Sequence, residues 1–185
     1  LYQSLLKSQE KFELVLQKAV ELGVQSIVPL RTERCQIAEL RKKERAIKIM
    51  REASEQSERA KIPALFDTVI FDEMLKNLST KDKTTNLFFY EHAHATRRRL
   101  ALRNKARSNL NNSNNICDMN SAQFRLSILR ANVNVVIGPE GGFSDTEANK
   151  IKSFCEKHKN SHMLSLGKRI LRSETASIAA LSNIL

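Results

Sequence analysis

Two segments near the C-terminus hold residue types that suit a small-ligand site. The first, Val136-Ile137-Gly138-Pro139-Glu140-Gly141-Gly142-Phe143-Ser144, leaves an apolar run and turns sharply into a helix-start signal. The second, Leu166-Gly167-Lys168-Arg169-Ile170-Leu171-Arg172-Ser173-Glu174-Thr175-Ala176, repeats that plan. Together they hold four of the five glycines of the chain. A sequence this sparing of glycine uses it where the backbone must take positive φ or let a group approach closely. Gly141 and Gly142 before a helix start present backbone N–H groups, and Gly167 removes a side chain where a flat ring could slide against the backbone. Two tight strand-to-helix turns without a ligand would use the same residues. Neither segment is Gly-x-Gly-x-x-Gly, and no Gly-x-x-x-x-Gly-Lys-Ser/Thr occurs, so neither a dinucleotide nor a nucleoside triphosphate is indicated.

The elements that must position these turns alternate along the chain. Phe12, Val15, Leu16, Ala19 and Val20 fall on one face of a helix over residues 8–22, and Gly23 sits at its C-terminal cap position. A strand follows over 26–30, and Pro29 ends it or places it at an edge. A helix over 41–57 carries Ala46, Ile49, Met50 and Ala53, and stops before Pro63. A strand over 65–70, a short helix over 71–78 and a buried-type strand over 87–90 complete the first half. Val133 to Ile137 is the clearest buried strand. Ser144 and Glu147 have capping-box spacing ahead of a helix with Ala148, Ile151, Cys155 and His158 on one face. A strand over 163–166 and an Ala- and Leu-rich helix over 173–185 finish the chain. This order predicts an α/β fold with a mostly parallel sheet flanked by helices, whose ligands bind beyond the carboxyl ends of the strands.

The chain has 185 residues, enough for one domain, and its 41% hydrophobic content supports a normal core built mainly from aliphatic side chains. Its net charge of +11 makes a polyanion a plausible partner, because Lys and Arg gain affinity by releasing counterions from phosphates. Much of that charge is concentrated in residues 96–132, where eight basic residues face the single acid Asp118. This stretch opens with a basic segment, Arg97 to Arg107, and passes through an Asn-rich run with no core face, so it reads as an insertion loop. Cys35, Cys117 and Cys155 are scattered and odd in number, as expected of reduced thiols in a cytoplasmic protein. No metal site is expected: His92 and His94 have no nearby Cys or carboxylate cluster. No apolar stretch approaches the ~20 residues of a membrane span, and no signal peptide is evident.

The paired C-terminal motifs, Ile137 to Phe143 and Leu166 to Ala176, resemble those of the RsmE family within the SPOUT superfamily. Three upstream segments agree: Gln17 to Val24, Ile27 to Arg34, and Glu52 to Ser57. The family comprises methyltransferases of N3 of uridine 1498 in 16S rRNA of the small ribosomal subunit. The resemblance implies a single SPOUT domain over residues 1–185 with a C-terminal trefoil knot. It also implies binding of S-adenosyl-L-methionine and a homodimer. The PUA-like β-barrel with which family members begin is expected to be absent from this chain. Carried over by position, Gly138, Pro139, Glu140, Gly141 and Gly142 form one cofactor loop, and Leu166, Gly167, Ile170 and Leu171 the other. Tyr90 and Glu91 stand at the entrance of the implied knot.

Uridine N3 carries a proton that must leave before or as the methyl group arrives, and the negative charge spreads onto the flanking carbonyl oxygens. A fixed cation stabilises that charge. Arg172 is the residue expected to supply it, and Glu174 to accept the proton or orient Arg172; a structural ion pair holding the last helix is the competing reading. Arg34, Gln56 and Arg59 are expected to contact RNA or the dimer partner's site, with plain helix-surface roles as the alternative. The chain departs from the family at Glu58, where members commonly have Gly; an acid there weakens a phosphate contact. Competing functions are another knotted RNA methyltransferase, acting on a ribose hydroxyl or a guanine, and a non-catalytic RNA-binding assembly factor.

Overall fold

The computed structural model describes residues 1–80, 84–90, 132–167 and 169–184. The insertion predicted over 96–132, Glu91, His92, His94 and Lys168 therefore lie outside the described residues, save Asn132 at the end of the insertion. The described elements run β1 (Tyr2–Ser4), α1 (Gln9–Glu21), β2 (Ser26–Arg31), α2 (Lys43–Gln56), β3 (Ala64–Leu65), β4 (Val69–Ile70), α3 (Phe71–Ser79), β5 (Thr84–Phe89), β6 (Asn132–Ile137), α4 (Asp145–Lys157), β7 (Ser161–Leu164) and α5 (Ser173–Ile184).

Every described strand pairing is parallel, in the order β3-β2-β1-β6-β5-β7, with β4 also paired to β2. Parallel strands need crossovers, and the helices that supply them cover both faces of the sheet. Side chains therefore alternate between two cores along each strand. Leu87, Phe89, Val135 and Ile137 enter the core beneath α1, α2 and α5, whereas Phe88 and Val136 enter the core beneath α3 and α4.

The sequence expectation differs from the structure at five places in the sheet. β2 runs on through Pro29 to Arg31 and lies inside the sheet, paired to β1 on one side and to β3 and β4 on the other, so Pro29 neither ends it nor marks an edge; it falls between the residues paired to β3 (26–27) and those paired to β4 (30–31). β5 begins at Thr84, three residues earlier than expected, and ends at Phe89. β1 was not anticipated, yet it lies between β2 and β6 and all three of its residues are buried. It is short and holds Gln3 and Ser4, so it carries no apolar run to read. The single strand expected over 65–70 is two short strands, β3 and β4. β7 begins at Ser161, two residues earlier than expected, and Ser165 and Leu166 belong to the following loop. The capping box of α4 is formed: Ser144 Oγ accepts from the Glu147 amide, and Glu147 Oε2 accepts from the Ser144 amide.

The C-terminal ends of α1 and α2 share one design. In α1 the Gly23 amide bonds to the Val20 carbonyl and the Val24 amide to that of Ala19; in α2 the Glu58 and Arg59 amides bond to the Glu55 and Ser54 carbonyls. These are paired Schellman motifs, which place the residue after the cap in the left-handed region. Gly23 holds that position at φ 92° and Glu58 at φ 54°. The glycine common at this position thus has a backbone reason, since it adopts positive φ without the Cβ penalty that Glu58 bears. Arg59 then joins the two helix ends, its guanidinium donating to the carbonyls of Val20 (2.8 Å), Val24 (2.9 Å) and Gly23 (3.4 Å).

Glu58→Gly should raise the unfolding free energy by roughly 0.5–1 kcal/mol, as the relief of left-handed strain exceeds the added chain entropy. Arg59→Ala should lower it by roughly 1–2 kcal/mol through lost carbonyl partners. Urea denaturation measures both, and a destabilised Glu58→Gly protein would contradict the backbone explanation.

Candidate functional site

The carboxyl ends of β5, β6 and β7 meet at a cleft that encloses about 530 Å³ of empty space, including its open mouth. Phe89 and Tyr90 follow from β5, Ile137, Gly138 and Pro139 from β6, and Leu166 and Leu171 from the loop after β7. The walls are mainly apolar, with backbone groups at the turns.

The two glycine segments are joined by one side chain. Ser173, buried at the start of α5, donates from Oγ to the Gly138 carbonyl (2.6 Å) and accepts from Gln3 Nε2 (3.2 Å). Gln3 also donates to the Ser4 carbonyl, and its Oε1 accepts from Ser177 Oγ. Within the first segment the Gly142 amide closes a turn onto the Pro139 carbonyl (2.9 Å) with Gly142 at φ 66°. Gly167 takes φ 118°, and its amide and carbonyl both bond Ser165 Oγ. A Cβ on Gly138 would lie 3.2 Å from the Phe143 ring, so that ring packs directly on the glycine backbone.

Of the residues expected in the cofactor loops, Gly138, Pro139, Gly142, Leu166 and Leu171 line the cleft. Glu140, Gly141, Gly167 and Ile170 are not among its lining residues. Glu140 points to the β1–α1 loop, where its Oε1 accepts from the Lys7 amide (3.0 Å). The Gly141 carbonyl accepts from Arg34 Nη1 (2.7 Å), which brings the sequence-predicted Arg34 against the first glycine loop. Ile170 is 79% exposed. Arg172 is exposed and outside the lining, whereas Arg169 lines the cleft. Sequence reasoning missed Arg169, Phe89, Ser165 and Ser173; of these only Ser173, a small hydroxyl residue at the start of the last helix six residues after Gly167, carried a readable signal. Gln56 lies exposed at the last turn of α2, and Arg59 is committed to the α1 carbonyls described above.

Three carboxylates around the cleft act as braces. Glu140 holds Lys7. Glu147, buried in α4, accepts from the Glu33 amide through Oε1 (2.8 Å), so the capping box also fixes the loop that carries Arg34. Glu174 pairs through Oε1 with Lys11 Nζ (3.1 Å), and its buried Oε2 has no hydrogen-bond partner among the described residues. Burial opposes ionisation of Glu174, but its own backbone amide and the Lys11 ammonium outweigh that, with Arg172 adding a smaller share, and the carboxyl is held below its usual range. At the rim, burial and then the charge of Asp145 push the Tyr90 hydroxyl up, against an opposing effect of Arg34.

The family model of the RNA methyltransferase domain matches residues 1–185. The chain belongs to the RNA methyltransferase domain family. It is 32% identical over 176 residues to ribosomal RNA small subunit methyltransferase E of Rickettsia conorii, covering 95% of this chain and 59% of that protein. It is 28% identical to the protein of that name from Bacillus subtilis, covering 97% of this chain and 62% of the other. The chain thus spans about three fifths of the length of these curated relatives. Among solved structures, ribosomal RNA small subunit methyltransferase E from Neisseria gonorrhoeae, bound to S-adenosyl methionine, superposes with a TM-score of 0.72 at 26% identity, covering 98% of this chain and 62% of that one. A SpoU methyltransferase from Streptomyces viridochromogenes shares the fold at 14% identity and a TM-score of 0.53, covering 99% of this chain and 56% of that one. The parallel α/β sheet expected from the sequence is the fold of this family.

Ser173→Ala leaves the Gly138 carbonyl and part of Gln3 unsatisfied and should lower stability by about 1–3 kcal/mol. Ser182→Ala, on the exposed face of α5, should stay within about 0.5 kcal/mol of the parent; equal effects in thermal unfolding would remove Ser173 from its joining role. Because the folded pKa of Glu174 is lowered, its contribution is present at neutral pH and is lost as pH falls below the usual carboxylate range, about 4.3. The stability gap between the parent and Glu174→Gln should therefore shrink between pH 7 and pH 3, and a constant gap would contradict the assigned direction.

Proposed function

We propose that this chain is the catalytic domain of an S-adenosyl-L-methionine-dependent methyltransferase acting on N3 of uridine in 16S rRNA of the small ribosomal subunit. The observation that carries the reading is the cleft itself, in which two glycine-bearing loops at the carboxyl ends of β6 and β7 are fastened together by Ser173. The residues present suit such a cofactor. Phe89, Ile137, Leu166 and Leu171 supply apolar walls for an adenine ring, and the positive-φ turn at Gly142 lets backbone approach the ligand without a Cβ. Gly138, Pro139, Gly142, Leu166 and Leu171 would hold it directly, with Glu140, Gly141, Gly167 and Ile170 shaping the two loops. When bound, the cofactor supplies an electrophilic methyl group.

The chain's own residues then have to orient the uracil and stabilise the charge released as N3 loses its proton. Arg172 is the proposed cation, acting on the carbonyl oxygens that flank N3, where preorganised charge is most effective. Of the two roles open to Glu174, orientation is favoured, because a carboxyl with a lowered pKa is a weaker base and the nearby charge of Arg172 is one of the causes of that lowering. In this reading Arg34, held against the Gly141 carbonyl, meets the substrate strand, and Gln56 and Arg59 belong to the C-terminal end of α2. Alignment of donor and acceptor supplies a further part of the acceleration. The trefoil knot, the homodimer and the cytoplasmic location belong to this reading, as does a separate PUA-like domain in the relatives. No helix among the described residues is long and apolar enough to cross a membrane.

The test is methylation of small subunits from a strain lacking the endogenous enzyme, followed by nucleoside mass spectrometry. The expected product is 3-methyluridine; a methylated ribose or guanine would overturn the assignment of the target atom, and binding without any methylation would favour an assembly factor. Arg172→Ala should reduce methyl transfer at least a hundredfold while cofactor affinity by calorimetry stays within about twofold. Affinity falling in step with rate would make Arg172 a cofactor or structural residue.

A further inference from the structure

On the sheet face away from α1, α2 and α5, a long groove separates α3 from α4 and encloses about 1150 Å³ of empty space, including its open side. Lys76 of α3 and Lys150 and Lys157 of α4 line it, and hydroxyls of Thr146 and Ser153 add donors and acceptors between them. Among the described residues no Asp or Glu lines the groove, although the chain has 20 such residues. Lys150 is partly neutralised at the rim by Asp72 (2.7 Å), whereas Lys76 and Lys157 enter none of the described ion pairs.

The groove has a direction. Residues 146, 150, 153 and 157 recur at helical spacing and form a stripe about 16 Å long on one face of α4. Its near end lies at the first turn of α4, where Thr146 lines the groove three residues after Phe143, which lines the cleft. The Phe71 ring at the start of α3 also packs on Phe143, with centroids 6.1 Å apart. At the far end the His158 ring stacks on Phe154, with centroids 4.2 Å apart and planes inclined by 31°. Both rings line the groove, and an aromatic surface beside lysines is the chemistry that holds single-stranded nucleic acid.

We propose that the α3–α4 groove is an RNA-docking channel that holds the phosphate backbone of the strand flanking the target nucleotide and leads it to the cleft. Lys76 and Lys157 contact phosphates, and His158 offers a stacking surface for a base. The identity of the strand as ribosomal RNA rests on the methyltransferase reading above; the placement of its backbone rests on the groove.

The experiment compares equilibrium binding of protein-free 16S rRNA by the parent chain, Lys76→Gln/Lys157→Gln, Lys76→Arg/Lys157→Arg, and the charge-matched control Lys48→Gln/Arg51→Gln on α2, across a salt series and without cofactor. The glutamine pair should weaken binding roughly tenfold and reduce the magnitude of the log–log salt slope by about 1.4, two single-strand phosphate contacts. The arginine pair should restore the parent slope, which a merely misfolded variant would not allow, and the α2 control should retain it. An unchanged slope in the glutamine pair, an equal loss in the α2 control, or absence of RNA binding by the parent would each overturn the channel. Methylation scored separately keeps the two ideas apart: a parent that binds RNA through the groove but forms no 3-methyluridine removes the activity and leaves the channel standing.

Discussion

Ser173 Oγ donates to the carbonyl at the end of β6 and accepts from a glutamine in the middle of the sheet, and the site depends on that pair of bonds. The two glycine segments lie about 30 residues apart in sequence, each at the end of its own strand, and neither is long enough to pack on the other by apolar contact alone. A buried hydroxyl with a donor on one side and an acceptor on the other fixes their relative position more narrowly than side-chain packing does. Gln3 is then required in a central strand, where a polar residue is otherwise costly to bury. Ser177 completes its partners one turn further along α5, so the polar network is satisfied through both ends of the Gln3 amide.

Around this joint the acids serve geometry. Glu140 braces the start of α1, Glu147 ties the loop after β2 to the first turn of α4, and Glu174 takes Lys11. Each connects a segment that bears part of the cleft to one that does not. For Glu174 the Lys11 ammonium and its own backbone amide favour the charged form, which suits a tether and weakens it as a proton acceptor. The apolar cleft wall therefore stays free of uncompensated negative charge, an arrangement compatible with substrate whose own backbone is anionic.

The legible parts of this chain were those with a strong local demand. The turns at Gly138 to Gly142 and Gly167 could be read because only a few residue types meet a positive φ or a close approach, and the capping box at Ser144 because its two partners are three residues apart. β1 could not be read: its three residues are buried by neighbours far away in sequence, and Gln3 looks like a surface residue until Ser173 and Ser177 are placed beside it. The choice between Arg169 and Arg172 was equally hidden. They stand three residues apart on either side of Ile170 and Leu171, and which of them faces the cleft depends on how the loop after β7 winds into α5. Glu58 shows the opposite error, in which a surface-charge explanation was available from sequence and the deciding property was a backbone angle.

Charge was the most misleading global signal. The +11 excess is weighted toward the stretch before β6, which draws attention to the insertion, yet charge acts over a Debye length of about 8 Å at physiological salt and so matters where it lines a concave surface. In α3 and α4 the lysines are mixed with Asp72, Glu73, Asp145 and Glu156, and the segment sequences look nearly balanced. Helical spacing sorts them: Lys76, Lys150 and Lys157 turn to the groove, while Asp72 meets Lys150 at its rim. A balanced composition thus produces a one-signed surface once the helices are placed side by side, and that surface starts at the first turn of the helix that follows the first glycine loop.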